Sequence, residues 1–327
     1  MVDRGLLDLI INRIPGLRIP ERLVLCEKFD REEEISILSK EDIEKIINRP
    51  LKQSWLMDEL CLQAGQDERT ARFRGIRWVS WTSGDYPPQL REIYDPPAVL
   101  FFRGSLPDPE KPLAAVVGTR RPGPAAAAQA YDISRELGAA GLSVVSGLAL
   151  GIDALAHRGN LEGGVPTFAV LGSGADEIYP AGNRKLAMRI LDNGGGILSE
   201  YVPGMKPFRG NFPARNRIIA GLARGTVIVE APARSGALIT ARFALEQGRD
   251  LWVASAGTVS SCGAGTAKLA DDGAKVIHGA AAILAEWKWT VLPFPAAGES
   301  RAGADGEISS GGRELAASLA RSLKINL

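Results

Sequence analysis

Three cysteines and two histidines are all that 327 residues hold of the usual soft metal ligands. Cys26, Cys61 and Cys262 lie far apart and form no CxxC pair, so neither a disulfide framework nor a zinc site is expected, and a reducing, cytoplasmic setting fits best. No apolar run approaches the length of a membrane span, and the charged N-terminal stretch MVDRGLLDLIINRIPG is not a signal peptide. The chain also lacks a GxxxxGK[ST] loop, a GxSxG elbow and the glycine spacing of a dinucleotide fingerprint, which argues against triphosphatase, hydrolase and dehydrogenase chemistry. Asp153 and His157, one helical turn apart, make two potential ligands, too few for a metal centre, and a packing role is expected for them. No cofactor is expected. Net charge is nearly absent as well, at +1.

That near-neutrality is uneven. From Lys111 to Gly225 there are thirteen Lys and Arg against eight Asp and Glu, whereas Met1 to Ser80 is balanced at fourteen against fifteen. A local basic surplus is what a phosphate-binding face produces.

Four segments follow from pattern. Residues 1–75 read as a small all-helical domain, with Ser39 as the N-cap of SKEDIEKII. Residues 76–112, rich in proline, read as a connector with short extended pieces. From Leu113, short β-branched runs alternate with helical stretches: LAAVVG, LSVVS, TFAVLG, GGILS, GTVIVEA, LWVASA and AKVI. Continuous runs of this kind are strands buried on both faces, so residues 113–290 are expected to form an α/β, doubly wound, mainly parallel sheet. Residues 291–327 read as a flexible tail with one short helix.

Ligands of such sheets sit outside the carboxyl ends of the strands. Here those ends are small and polar: GTRRPG from Gly118, SGLALGID with Ser146, Gly147 and Gly151, GSG with Gly172 and Gly174, and ARSGALIT with Ser235 and Gly236. Loops of this composition leave backbone N–H groups free to cradle phosphates. Three basic clusters accompany them: Arg120 and Arg121, Arg184 and Lys185, Arg215 and Arg217. They are expected to neutralise phosphates; the competing expectation is ion pairing with Glu200 and Glu230. Tyr179, Tyr201, Phe208 and Phe212 lie near the same loops, where aromatic rings can stack bases of a single strand.

The stretch NFPARNRIIAGL from Asn211 places two arginines in the first turn of a helix, an end that carries partial positive charge and disfavours cations. At 100° per residue Arg215 falls on the side of the apolar stripe and Arg217 on the opposite, outer side.

In this order, VGTRRPG, SGLALGIDALAH, LGSGADEIYPAGNRKL, ILSEYVPG, FPARNRIIAGL, VIVEAPARSGALITARFALEQGRD and KLADDGA resemble the DNA-processing protein A family over about residues 85–280. The resemblance implies an extended Rossmann-like fold and a non-enzymatic protein. Such a protein would bind single-stranded DNA in a pocket of that domain, dimerise through it, and load the RecA recombinase during natural transformation. It implies DNA contacts at Arg120 and at Arg184 or Lys185, with Asn183 just ahead of that pair, and it includes Arg215, Asn216 and Arg217 in the FPxRNR motif. Two departures are visible. Ser255, Ala256 and Gly257 stand where relatives have Pro-Gly, and the last fifteen residues are too short for the winged-helix domain of many members. The alternative expectation is an enzyme resembling nucleoside-monophosphate phosphoribohydrolases, with Glu200 or Glu230 catalytic, although no PGGxGTxxE-like motif is present.

Overall fold

A computed structural model describes residues 6–289. The expectations for residues 291–327 lie outside the described residues. Five helices come first: α1 (Leu7–Arg13), α2 (Ile19–Lys28), α3 (Glu32–Ser36), α4 (Lys40–Ile47) and α5 (Met57–Phe73). Ser39 caps α4, its hydroxyl accepting the Asp42 N–H while the Asp42 carboxylate reaches back to Ser39. α1 and α5 are locked by a bidentate pair of Arg13 with the buried Asp67, at 2.6 and 2.5 Å.

The chain then builds one nine-stranded sheet. In chain order the elements are β1 (Arg77–Ser80), α6 (Pro88–Arg91), β2 (Val99–Gly104), β3 (Ala114–Val117), α7 (Pro124–Ala139), β4 (Val144–Ser146), α8 (Ile152–Glu162) and β5 (Phe168–Val170). There follow α9 (Arg184–Asp192), β6 (Gly196–Ser199), α10 (Asn211–Leu222), β7 (Gly225–Ile228), α11 (Gly236–Glu246), β8 (Asp250–Ala254), α12 (Ser255–Thr258), α13 (Ala264–Asp271), β9 (Lys275–Ile277) and α14 (Ala281–Glu286). The spatial order is β1-β2-β6-β5-β4-β3-β7-β8-β9. β3 to β9 run parallel, and β1 and β2 add antiparallel pairs beside β6. Each of the seven expected strands is in place.

The connector is therefore not a link beside the sheet: its apolar run VLFFRG pairs with β6 and extends it. Its prolines fall outside these strands, where no ladder N–H is lost. One face of the sheet buries Ala115, Val117 and Val145 against Ile218, Ile219 and Leu222 of α10 and Ala237 and Ala241 of α11. The other buries Val116 and Val144 against α7 and α8. The N-terminal helices join their core to Val99 and Phe101 of β2. Among the described residues no helix is long and apolar enough to cross a membrane.

Candidate nucleic-acid interface

The chain winds outward from β3 through β4, β5 and β6, then returns to place β7 on the other flank of β3. At that switch point, beyond the carboxyl ends of β3, β4 and β7, a crevice of about 650 Å³ opens. Its walls are the loop after β3 (Gly118, Thr119, Arg120), Ala149 after β4, Tyr179, the start of α10 (Arg209, Phe212, Arg215, Asn216) and the start of α11 (Arg234, Ser235, Gly236).

Four arginines line it, and Asp153 is its one acidic lining residue among the described residues. Asp153 is buried and does not offset the others from a distance. Its carboxylate accepts the N–H groups of Gly147 at 3.1 Å and Ala149 at 3.4 Å. Burial pushes its pKa up, while the neighbouring Arg215 and these N–H groups pull it down.

Arg215, 4% exposed, donates from Nη1 to the Gly147 carbonyl at 3.0 Å. Desolvation lowers its guanidinium to about 10 against the pull of Asp153, so it stays charged at neutral pH. The Gly147 peptide is thus held from both sides. A β-carbon there would sit 2.5 Å from Arg215 Nη2 and 2.7 Å from Asp153 Oδ2, so a larger side chain would have to push both groups aside.

Arg120, Arg209 and Arg234 are exposed and make no ion pair among the described residues. The Arg120 guanidinium lies 5.9 Å from the Phe212 ring centroid, and Phe212 stands 5.6 Å from Tyr179 at an interplanar angle of 45°. The crevice therefore presents three unpaired cations and a two-ring aromatic wall.

Of the sequence-predicted residues, Arg120, Arg215, Asn216, Ser235 and Gly236 line this crevice. Gly147 lines a small adjoining recess with Tyr179 and Phe212. Arg184 and Lys185, exposed at the start of α9, do not line it. Several loop residues serve the scaffold. The Ser146 hydroxyl donates to the Val116 carbonyl at 2.7 Å. Gly172 sits beneath the Phe212 ring, and Gly174 N–H donates to the Met205 carbonyl at 2.8 Å. Gly151, at φ 76°, packs against the backbone of Thr119 and Arg120. The buried Asn183 amide donates to the carbonyls of Leu148 at 2.8 Å and Ala149 at 3.2 Å, and so fixes the loop after β4, where Leu148 takes φ 56°.

Arg217 corrects the helical-wheel expectation. It does not face outward: it is 3% exposed, and its Nη1 and Nη2 each lie 2.7 Å from an oxygen of Glu200, with Nε donating to the Asp95 carbonyl at 2.9 Å. α10 is buried on nearly every side from Arg215 onward, so it has no outer face. Glu230, fully buried, accepts the Gly123 N–H at 2.9 Å and a hydrogen bond from the Ser260 hydroxyl. Neither glutamate lines the crevice. His157 donates from Nδ1 to the Thr167 hydroxyl, which itself donates to the Val144 carbonyl, deep in the core. Among the described residues no cluster of three or more potential metal ligands occurs.

Arg209 and Arg234 were missed in sequence. Both stand at strand-to-helix junctions, two residues before a helix start, and that position was the available signal.

The family described as DNA recombination-mediator protein A matches residues 77–288. The DNA processing protein DprA of Streptococcus pneumoniae is 42% identical over 204 residues, 62% of this chain and 72% of that protein. Protein Smf of Borreliella burgdorferi is 35% identical over 269 residues, 82% of this chain and 84% of that protein. The X-ray structure of the S. pneumoniae protein superposes with a TM-score of 0.73 at 36% identity, covering 86% of this chain and 98% of that one. A structure of DNA processing protein A from Helicobacter pylori, described for its single-stranded DNA binding mode, superposes with a TM-score of 0.57 at 29% identity over 66% of this chain and 97% of that one.

Proposed function

The chain belongs to the DNA recombination-mediator protein A family, and on that premise we propose that its crevice binds single-stranded DNA without reading sequence. The observation that carries this reading is the trio Arg120, Arg209 and Arg234, which face a common cavity without carboxylate partners among the described residues. Phosphates between them would supply the missing counter-charge. Tyr179 and Phe212 offer stacking surfaces that any base can use, and Arg120 over Phe212 adds a cation–π contact to the same wall. A duplex keeps its bases stacked inside and gains nothing from that wall.

We further infer a protein that binds rather than catalyses, acting in the cytoplasm as a homodimer that hands the strand to the RecA recombinase in transformation and recombination. The phosphoribohydrolase reading requires a carboxylate at the ligand, whereas the oxygens of Glu200 are held by Arg217 and those of Glu230 by Gly123 and Ser260. Fluorescence anisotropy with labelled oligo-dT and with a duplex of equal length, titrated over salt, tests the proposal. Three phosphate contacts predict a slope of log K against log salt of about −2 for the single strand. Equal affinity for the duplex, or a flat salt response, overturns it.

A further inference from the structure

Two loops that meet beside the crevice are tied together by hydrogen bonds and ion pairs. The GSG loop after β5 continues into Ala175, Asp176 and Glu177, and the loop from Glu200 to Gly210 leads into α10. The Asp176 carboxylate, 4% exposed, accepts the Gly204 N–H at 2.9 Å and receives the Arg74 guanidinium at 2.7 Å. Gly174 N–H reaches the Met205 carbonyl at 2.8 Å, and Lys206 pairs with Glu177 at 2.9 Å. Arg74 ends α5, 102 residues earlier in the chain. The tethered loop then runs through exposed residues to Arg209, one of the three unpaired cations of the crevice.

We propose that Asp176, anchored by Arg74, is a positioning residue for Arg209: it pins Gly204 and thereby holds the Arg209 loop over the crevice, so that the N-terminal helices set the pose of a DNA contact they do not make. This rests on the single-strand reading above. A sequence that looks like a phosphate cradle thus acts as a latch. Gly204 adopts φ 80°, a conformation that needs glycine, and its amide has a carboxylate partner instead of water. Without that partner the stretch from Gly204 to Arg209 has few packed contacts to fix it, since Met205 to Gly210 are all exposed.

The test combines amide exchange with salt-titrated oligo-dT binding on the full chain. Arg209→Ala removes one phosphate contact, which lowers the salt slope by about 0.7 and weakens binding about fourfold at 0.15 M salt. Asp176→Ala is expected to speed exchange at Gly204, lower the slope by the same amount, and add nothing in the double variant Asp176→Ala with Arg209→Ala. General loosening of the fold leaves the slope unchanged and adds to the Arg209→Ala loss. Should Asp176→Ala fail to fold, Asp176→Leu, of nearly the same shape, removes both acceptor oxygens, with the same expectations. Arg74→Gln should shift both readouts in the same direction; wild-type values in that variant overturn the role of the helices. A wild type without salt-dependent strand binding overturns the functional reading and this one together. A wild type that binds, beside an Asp176 variant of unchanged slope, overturns the positioning alone.

Discussion

Replacing Arg217 by alanine distinguishes the two arginines within α10. In the folded chain Arg217 neutralises Glu200 through two bonds of 2.7 Å and lies 3.0 Å from the Asp95 carboxylate, with its own side chain 3% exposed. Deleting it strands two carboxylates, of which Glu200 is 17% and Asp95 33% exposed. Breaking a buried pair from one side costs about 3–5 kcal/mol, and the residual hydration of both carboxylates places this case near the lower end. For a chain of 327 residues about 3 kcal/mol lowers Tm by roughly 4–5 °C. Arg217→Lys should recover little, because an ammonium cannot span both oxygens of Glu200. Burial already raises the Asp95 pKa against the pull of Arg217, and removing the arginine raises it further. The deficit of the variant should therefore shrink as pH falls and Asp95 becomes neutral. Calorimetry across pH, paired with oligo-dT titration of the folded protein, measures both effects. An Arg217→Ala protein with wild-type Tm and a shallower salt slope would refute the reasoning, since Arg217 would then be contacting phosphate.

Arg120→Ala should behave in the opposite way: Tm close to wild type, a salt slope shallower by about 0.7 and single-strand affinity about fourfold lower at 0.15 M salt, read by anisotropy. Asn183→Ala leaves the Leu148 and Ala149 carbonyls without their donor; a loss of about 1–3 kcal/mol in urea unfolding is expected, with weaker strand binding because Ala149 lines the crevice. His157 is fully buried, and desolvation, reinforced by Arg215, lowers its pKa to about 3 from an ordinary 6.5. The unfolded chain takes up that proton first, so stability is full above pH 6.5 and falls by about 1.4 kcal/mol per unit on the way down to pH 3. In His157→Gln this component of the Tm–pH profile should vanish; a profile of unchanged shape would count against it.

The parallel strands were readable because β-branched runs such as GTVIVEA and LWVASA have no other stable home than a sheet covered on both faces. Ser39 was readable because capping is local chemistry. What lies beside a residue was harder to read. Glycines and serines at strand ends looked like phosphate cradles, yet Ser146 closes on Val116, Gly172 makes room for a ring, and Gly174 ties down a loop. Small residues are required wherever backbones approach, whether or not a ligand is near. Composition does not separate the two demands. The wheel for α10 assumed one wet side, and the helix lies between the sheet, α6 and α11 with almost none. Arg209 and Arg234 carry no local mark beyond their place before a helix start.

Arg215 shows how this matters for the charge of the crevice. It lines the cavity, but its guanidinium already holds the Gly147 carbonyl and faces Asp153. That pair is close to neutral as a unit, which leaves the field to Arg120, Arg209 and Arg234. Arg215→Met should therefore weaken strand binding by releasing the loop after β4 while leaving the salt slope near its wild-type value, because no phosphate counterion is exchanged at that position. It should also lower Tm, since Asp153 would be buried without its cation; the variant Arg215→Met with Asp153→Asn should regain part of that loss. If Arg215→Met instead lowers the slope by about 0.7 with little change in Tm, Arg215 releases its hold on Gly147 when DNA arrives and contacts phosphate directly. The two arginines of FPxRNR would then differ in role, with Arg217 alone structural.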